Sequence, residues 1–242
     1  LDGNFKTYNW MSSSTRIREI LDAGAGDFVE TDDLPPRDRL TYGNGFYGQC
    51  GAVFVDIRGS SGLASQYQRP RLAKIYRAFI SEMVAVLNGN KHVREVNIVG
   101  DCVWAVYNTP LQSDIDGTFE RAYVANTLCE LLNRRFAQHD IAPIRIGIGV
   151  DWGRVLMIKA GYDGSGINDV VYMGDVVNRA AHLAHKAGRS YQDPIWAGAD
   201  FYFNLNPHNK DLLHQWHDRE LGSVYRGTVV ETLMYDWINR NF

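Results

Sequence analysis

The sequence predicts an α+β (α/β) domain: a mixed, mainly antiparallel sheet with a ferredoxin-like β-α-β-β-α-β core, flanked by helices. Three observations carry that expectation. Short β-rich runs alternate with long helical patterns; hairpins interrupt the alternation, which disfavours a purely parallel sheet; and no repeat of solenoid period runs along the chain.

The first stretch is irregular. Ser12-Ser13-Ser14 predict the cap of a short helix through Arg16–Leu21, ended by Gly24 and Gly26. From Asp27 to Gly45 the chain is acidic and turn-rich, which reads as a linker or surface arm, so residues 1–46 are set apart from a domain over 47–242. Val53-Phe54-Val55-Asp56-Ile57 is a short β-rich run closing on an acid. After Gly59-Ser60-Ser61-Gly62 a helix follows, with Leu72, Ile75, Phe79, Met83 and Val86 on one stripe. Glu95–Val99 and Val103–Tyr107 are expected as strands joined by a Gly100-Asp101 turn. Asp114–His139 is the second long helix, with Phe119, Tyr123, Leu128 and Leu131 inward. The alternation of Ile144–Val150 predicts a strand buried on one face, with Leu156–Ala160 as its hairpin partner. A third helix is expected from Gly174 to Lys186, and later strands over Ile195–Ala197 and Val229–Trp237.

Composition narrows the function. The chain has 242 residues, 45% of them apolar and 22% charged, and this mixture fits a globular protein and excludes a disordered polymer. A net charge of −3 provides no broad basic field, so no nucleic-acid partner is expected. No apolar run approaches the ~20 residues of a membrane span, and Leu1–Lys6 does not read as a signal peptide. Cys50, Cys102 and Cys129 stand far apart with no C-x-x-C, which excludes a disulfide framework or thiolate zinc site and suits a reducing cytoplasm. His182 and His185 lack a third ligand, no H-E-x-x-H occurs, and there is no P-loop.

Two acids stand out by position. Asp56 closes a strand before a turn of small residues that opens a helix, and Asp101 sits at the tip of the hairpin expected beside it. Two carboxylates on neighbouring strand ends are a minimal ligand set for hard cations. The turn Arg58-Gly59-Ser60-Ser61 allows backbone N–H groups to approach a phosphate. Taken singly, Asp56 also suits a helix cap and Asp101 a turn; their joint placement is what points to chemistry.

These residues resemble a known family. Phe54-Val55-Asp56-Ile57-Arg58-Gly59-Ser60-Ser61 resembles the F-x-D-I-x-G-F-T segment of class III nucleotidyl cyclases (adenylate and guanylate cyclase catalytic domains). Val99-Gly100-Asp101 resembles their I-G-D hairpin, and Ile146–Gly153 their R-I-G-I-H-x-G strand. Gly174-Asp175-Val176-Val177-Asn178-Arg179-Ala180-Ala181 resembles G-x-x-V-N-x-A-S. The four segments lie in the family's order between residues 48 and 240.

The resemblance implies that Asp56 and Asp101, with the Ile57 carbonyl, hold two divalent ions, Mn²⁺ or Mg²⁺. It implies in-line attack of a ribose 3′-hydroxyl on the α-phosphorus of a nucleoside triphosphate. It further implies that Asn178 reaches the ribose from a partner subunit in a head-to-tail homodimer. Phe54, Arg58, Gly59, Ser60, Ser61, Asn97 and Tyr172 are the remaining expected substrate contacts.

Two positions depart from the purine-using relatives. Asn97 replaces their base-reading Lys or Glu, and Val171 replaces Asp, Thr or Cys and makes no hydrogen bond. Leaving a purine's polar edge unmet disfavours it. The pattern is most similar to the bacterial Pycsar pyrimidine cyclases, which make cyclic UMP or cyclic CMP in antiphage defence and activate a separate effector protein. UTP is expected ahead of CTP. A further departure is His182 at the transition-state Arg position; Arg179, Lys186, Arg58 and Arg226 are candidates to compensate. An adenylate cyclase with an unusual base pocket, or a cyclase-like regulatory domain without turnover, are the alternative readings.

Overall fold

A computed structural model of the chain describes residues 2–24, 28–190 and 192–242; Gly26 and Asp27, expected at the end of the first helix and the start of the arm, lie outside it. The core is the expected β-α-β-β-α-β unit. It runs β2 (Gly45–Ile57), α2 (Ser60–Gln66), α3 (Arg69–Leu87), β3 (Val93–Val99), β4 (Cys102–Asn108), α4 (Gln112–Ala137) and β5 (Ile146–Tyr162). It is preceded by α1 (Trp10–Asp22) and β1 (Phe28–Glu30). It is followed by β6 (Ile167–Met173), α5 (Asp175–Lys186), β7 (Ile195–Gly198), α6 (Ala199–Asn204), α7 (Pro207–Asp211), β8 (His214–Asp218), β9 (Gly222–Gly227) and α8 (Thr232–Asn241). The sheet order is β3-β4-β2-β5-β7-β9-β8, with β1 beside the start of β2 and β6 beside the far half of β5. Among the described residues only the β1–β2 and β5–β7 pairings are parallel.

The side-chain period of two sorts β2 onto two faces. Val53, Val55 and Ile57 join Ile75, Phe79 and Met83 of α3 and Phe119, Leu128 and Leu132 of α4 in the main core. The spacing of three and four along α3 and α4 gives each helix one apolar stripe for that face. Ala52 and Phe54 point to the other face, where Val176, Ala180 and Ala184 of α5 cover part of the sheet. Asp56 shares that second face, and among the described residues α5 packs on β5 and β2 there but not on β3 or β4.

Several elements differ from the sequence reading. β5 does not turn back: Ile146–Tyr162 is one strand, because both of its halves pair with the same 13-residue β2, from Gly45↔Ile158 to Ile57↔Ile146. Its hairpin partner is β6. Ile146–Asp151 are buried on both faces, since α5 covers the glycine side. Val229–Trp237 is not a strand. Glu231 caps α8 by accepting from Leu233 N and Met234 N, and Leu233, Met234, Trp237 and Ile238 recur at helical spacing. α1 is capped by Asn9, not by the serines. The acidic arm contributes β1 and two buried leucines, Leu34 and Leu40, to the second face.

Candidate active site

Asp56 ends β2 on the open face, and its register partners are Cys102 on β4 and Gly147 on β5. The two-residue turn Gly100-Asp101 joins β3 to β4 and places Asp101 next to Cys102, so both carboxylates stand at one end of the same row. The side chains are close enough that Asp101 acts on Asp56 through charge and a hydrogen bond. Burial pushes the Asp56 carboxyl above the usual carboxylate range, Arg58 pulls it back, and Asp101 raises it further.

Cations and hydroxyls ring this pair. Arg58 Nη2 donates to Asp56 Oδ2 at 2.5 Å, and its Nη1 donates to the His185 carbonyl at 2.7 Å. Arg189, held on the same carbonyl, is near enough to lower the Asp56 carboxyl slightly. Gly59 adopts φ 70°, a left-handed conformation natural to glycine, and turns the chain into α2. Ser60 and Ser61 open that helix; Tyr76 of α3 lies near both carboxylates, and burial together with their charge pushes its phenol up. Burial and the two aspartates push the Cys102 thiol up to about 12, which leaves no thiolate nucleophile here.

One row further along the same face, Asn97 of β3 pairs with Trp104 of β4, and Trp104 pairs with Phe54 of β2. The Phe54 and Trp104 rings stack 5.0 Å apart at an interplanar angle of 1°. Two residues along a strand separate this row from the Asp56 row, a distance of about 7 Å. A base on the aromatic row and phosphates on the carboxylate row would leave the interval for a ribose.

Not all expected contacts assemble in one chain. Asn178 lies two residues from both Val176 and Ala180, which face the sheet, so it stands on the outward side of α5 and is exposed. The α5 end nearest Asp56 is Ala184, which packs on Gly147; Asn178 is about 9 Å back along the helix axis. His182 is one turn after Asn178 on the same outward side. Val171 is exposed, whereas Tyr172 is buried with its hydroxyl beside the Glu95 carboxylate.

Three candidate cations are engaged elsewhere. Arg179 turns inward to Asp151, 3.8 Å away, and to the Leu221 and Ser223 carbonyls. Lys186 pairs with Asp218 and Glu220, and Arg226 on β9 with Asp193 and the Trp216 ring. Trp104 and Tyr76 are site residues that sequence reading missed. The signal for Trp104 was available: a two-residue hairpin turn at Gly100-Asp101 pairs 99 with 102 and therefore 97 with 104. Tyr76 gave none, being one of many residues flanking an apolar helical stripe.

The pattern of the family described as adenylate and guanylate cyclase catalytic domain matches residues 44–191. The chain is 35% identical to a uridylate cyclase of Treponema porcinum, across 96% of this chain and 82% of that protein. It is 36% identical to a uridylate cyclase of Gulbenkiania mobilis, across 98% of both. The crystal structure of the adenylyl cyclase CyaB from P. aeruginosa superposes with a TM-score of 0.63 at 18% identity, over 76% of this chain and 95% of that one, a likeness of fold. On that match and these two relatives, the chain belongs to the adenylate and guanylate cyclase catalytic domain family, the class III nucleotide cyclases.

Proposed function

We propose that this chain is a uridylate cyclase, converting UTP to 3′,5′-cyclic UMP and pyrophosphate at composite sites of a head-to-tail homodimer. The observation that carries the reading is the convergence of Asp56 and Asp101 beside the Asn97–Trp104–Phe54 row. The likeness to two uridylate cyclases over nearly the whole chain supports uracil as the base.

Divalent cations, Mn²⁺ or Mg²⁺, fit the donors present. Asp56 and Asp101 bring two carboxylates together in a half-buried place, and the Ile57 carbonyl would be a further hard oxygen donor. Among the described residues no group of three His, Cys, Asp or Glu side chains forms a closed metal cluster, so substrate oxygens would complete the coordination. Such ions, when bound, supply charge neutralisation for the leaving pyrophosphate and a lowered pKa for the ribose 3′-hydroxyl.

The chain's own residues do the rest. Asp56 and Asp101 would hold the cations that neutralise the triphosphate end. The Gly59-Ser60-Ser61 turn presents backbone N–H groups, and Arg58 sets a positive charge beside the developing phosphate charge. Phe54 and Trp104 wall the base on one side, and the Asn97 amide, donor and acceptor both, meets its polar edge. Asn178 of the partner subunit would orient the ribose, because within one chain it faces away from the carboxylates. The reaction needs alignment of the 3′-oxygen with the α-phosphorus and no covalent enzyme intermediate. Tyr172, buried on its own β6, would bound this pocket and not touch substrate directly.

We place the product as a diffusible second messenger for a separate effector in bacterial antiphage defence, on the sequence resemblance alone. The cytoplasm suits three free cysteines. The test is one incubation of the purified chain with UTP, CTP, ATP and GTP plus Mn²⁺, resolved by chromatography. Cyclic UMP as the main product is the expected result. Cyclic AMP alone, or no product with Asp56→Ala matching wild type, overturns the reading.

A further inference from the structure

We infer that Trp104 sets the size of the base this site accepts: its indole occupies the space that a second ring would need, so a one-ring base fits beside Asn97 and a purine does not. The inference deepens the cyclase reading above and rests on it.

Asn97, Trp104, Phe54 and Gly149 are successive cross-strand partners, one from each of β3, β4, β2 and β5. Neighbouring strands lie about 4.8 Å apart, so Trp104 is the immediate neighbour of the one amide placed to read a base edge. Among the described residues the half-buried Asn97 amide has no hydrogen-bond partner, which leaves its donor and acceptor free for a ligand. The indole is only partly buried, whereas Phe54 beneath the stack is buried. Trp104 therefore presents the outer surface of the pair.

Rigidity turns bulk into selectivity. The stack is nearly coplanar at 5.0 Å. Behind Phe54, α5 lies so close to the sheet that a Cβ on Gly149 would stand 2.0 Å from the Ala180 carbonyl. Phe54 is itself buried in one cluster with Ala180 and Ala184 of that helix, so the stack is backed on the side away from Asn97. A wall backed in this way disfavours the larger base, because extra atoms forced into a packed site strain it. Distance agrees with this placement: the row is about 7 Å from the carboxylate row, leaving a ribose between base and phosphate.

The experiment uses the full chain and two variants, Trp104→Leu and Trp104→Phe, each given equimolar UTP and ATP with Mn²⁺. The readout is the ratio of cyclic AMP to cyclic UMP. Trp104→Leu is expected to raise the ratio at least about tenfold, the scale on which packing pockets discriminate, and Trp104→Phe to raise it less. If Trp104→Leu does not fold, by its melting curve, the Phe variant alone must still show a raised ratio. A variant that folds without turnover is read by displacement of a fluorescent UTP analogue, where ATP must gain on UTP by the same factor. A wild-type ratio in a variant that still makes cyclic UMP, or unchanged displacement, overturns the role of Trp104. A wild type making no cyclic pyrimidine overturns the underlying uridylate reading instead.

Discussion

Arg58 and Asp56 are joined at 2.5 Å, and the same guanidinium reaches the His185 carbonyl at 2.7 Å, tying the end of β2 to the last turn of α5. Arg58 thus works against the burial and the Asp101 charge that raise the Asp56 carboxyl. Arg58→Ala removes the compensating charge, so Asp56 takes up a proton at higher pH. Turnover, which needs the carboxylate, should then fail sooner as pH drops: the acid limb of the rate–pH profile moves upward. A rate at optimal pH lower by about tenfold accompanies loss of one charge-assisted contact. An unmoved acid limb would show that Arg58 does not govern Asp56.

Asp101→Asn separates chemistry from stability. The substitution keeps the shape of the turn, removes a charge that disfavours ionised Asp56, and leaves one carboxylate for the cations. Turnover should fall at least about a hundredfold, while the melting temperature holds or rises slightly. A melting temperature that drops in step with activity would make Asp101 a structural turn residue.

The outward placement of Asn178 predicts complementation between inactive chains. Asp56→Ala and Asn178→Ala each damage a different half of every composite site. In a randomly reassorted mixture half the dimers carry both variants, each with one intact site, so about a quarter of wild-type activity should return. Two inactive variants that stay inactive after mixing, with exchange verified by mass, would place Asn178 outside the site.

How much of this was legible beforehand follows from the range of the interactions involved. The Asp56 strand, the Gly100-Asp101 hairpin and α5 are specified by neighbours within about ten residues, and local pattern found them. Local pattern breaks β5 into a hairpin because nothing local says that Trp152-Gly153 continues straight; the reason is β2, a hundred residues away. The polarity of Asp27–Gly45 points to a linker or surface arm. Yet Leu34 is buried, with its backbone N–H donating to the Asn108 side chain of β4. Asn178 was found by motif, but its direction on the helix needed to know which side of α5 meets the sheet.

Gly149 tests the closeness of that helix. An alanine there would bring its Cβ to 2.0 Å from the Ala180 carbonyl and 2.3 Å from the Ala184 nitrogen, both backbone atoms with no rotamer to yield. Either β5 or α5 must shift. Gly149→Ala should cost about 1–3 kcal/mol or more in urea unfolding and lower turnover by displacing Asn178 and the Phe54 wall together. Wild-type stability would mean the helix stands further off.

Asp151 predicts how the fold responds to pH. It is buried on β5, one side-chain oxygen has no hydrogen-bond partner, and Arg179 stands 3.8 Å from the other. Burial raises its carboxyl to about 7, against the Trp152 N–H and Arg179, with Asp200 and Asp175 adding to the rise. An unfolded aspartate releases its proton near 3.9. Between those values the folded state holds a proton that the unfolded chain has lost, so the contribution is full below about pH 4. It declines as pH climbs to about 7, by up to an order of 4 kcal/mol, and is level above that. Asp151→Asn cannot ionise. Its unfolding free energy should vary less between pH 5 and pH 7 than that of wild type, and exceed it at pH 8. Parallel pH profiles for the two proteins would mean that Asp151 is ionised in the fold and that Arg179 fully balances it.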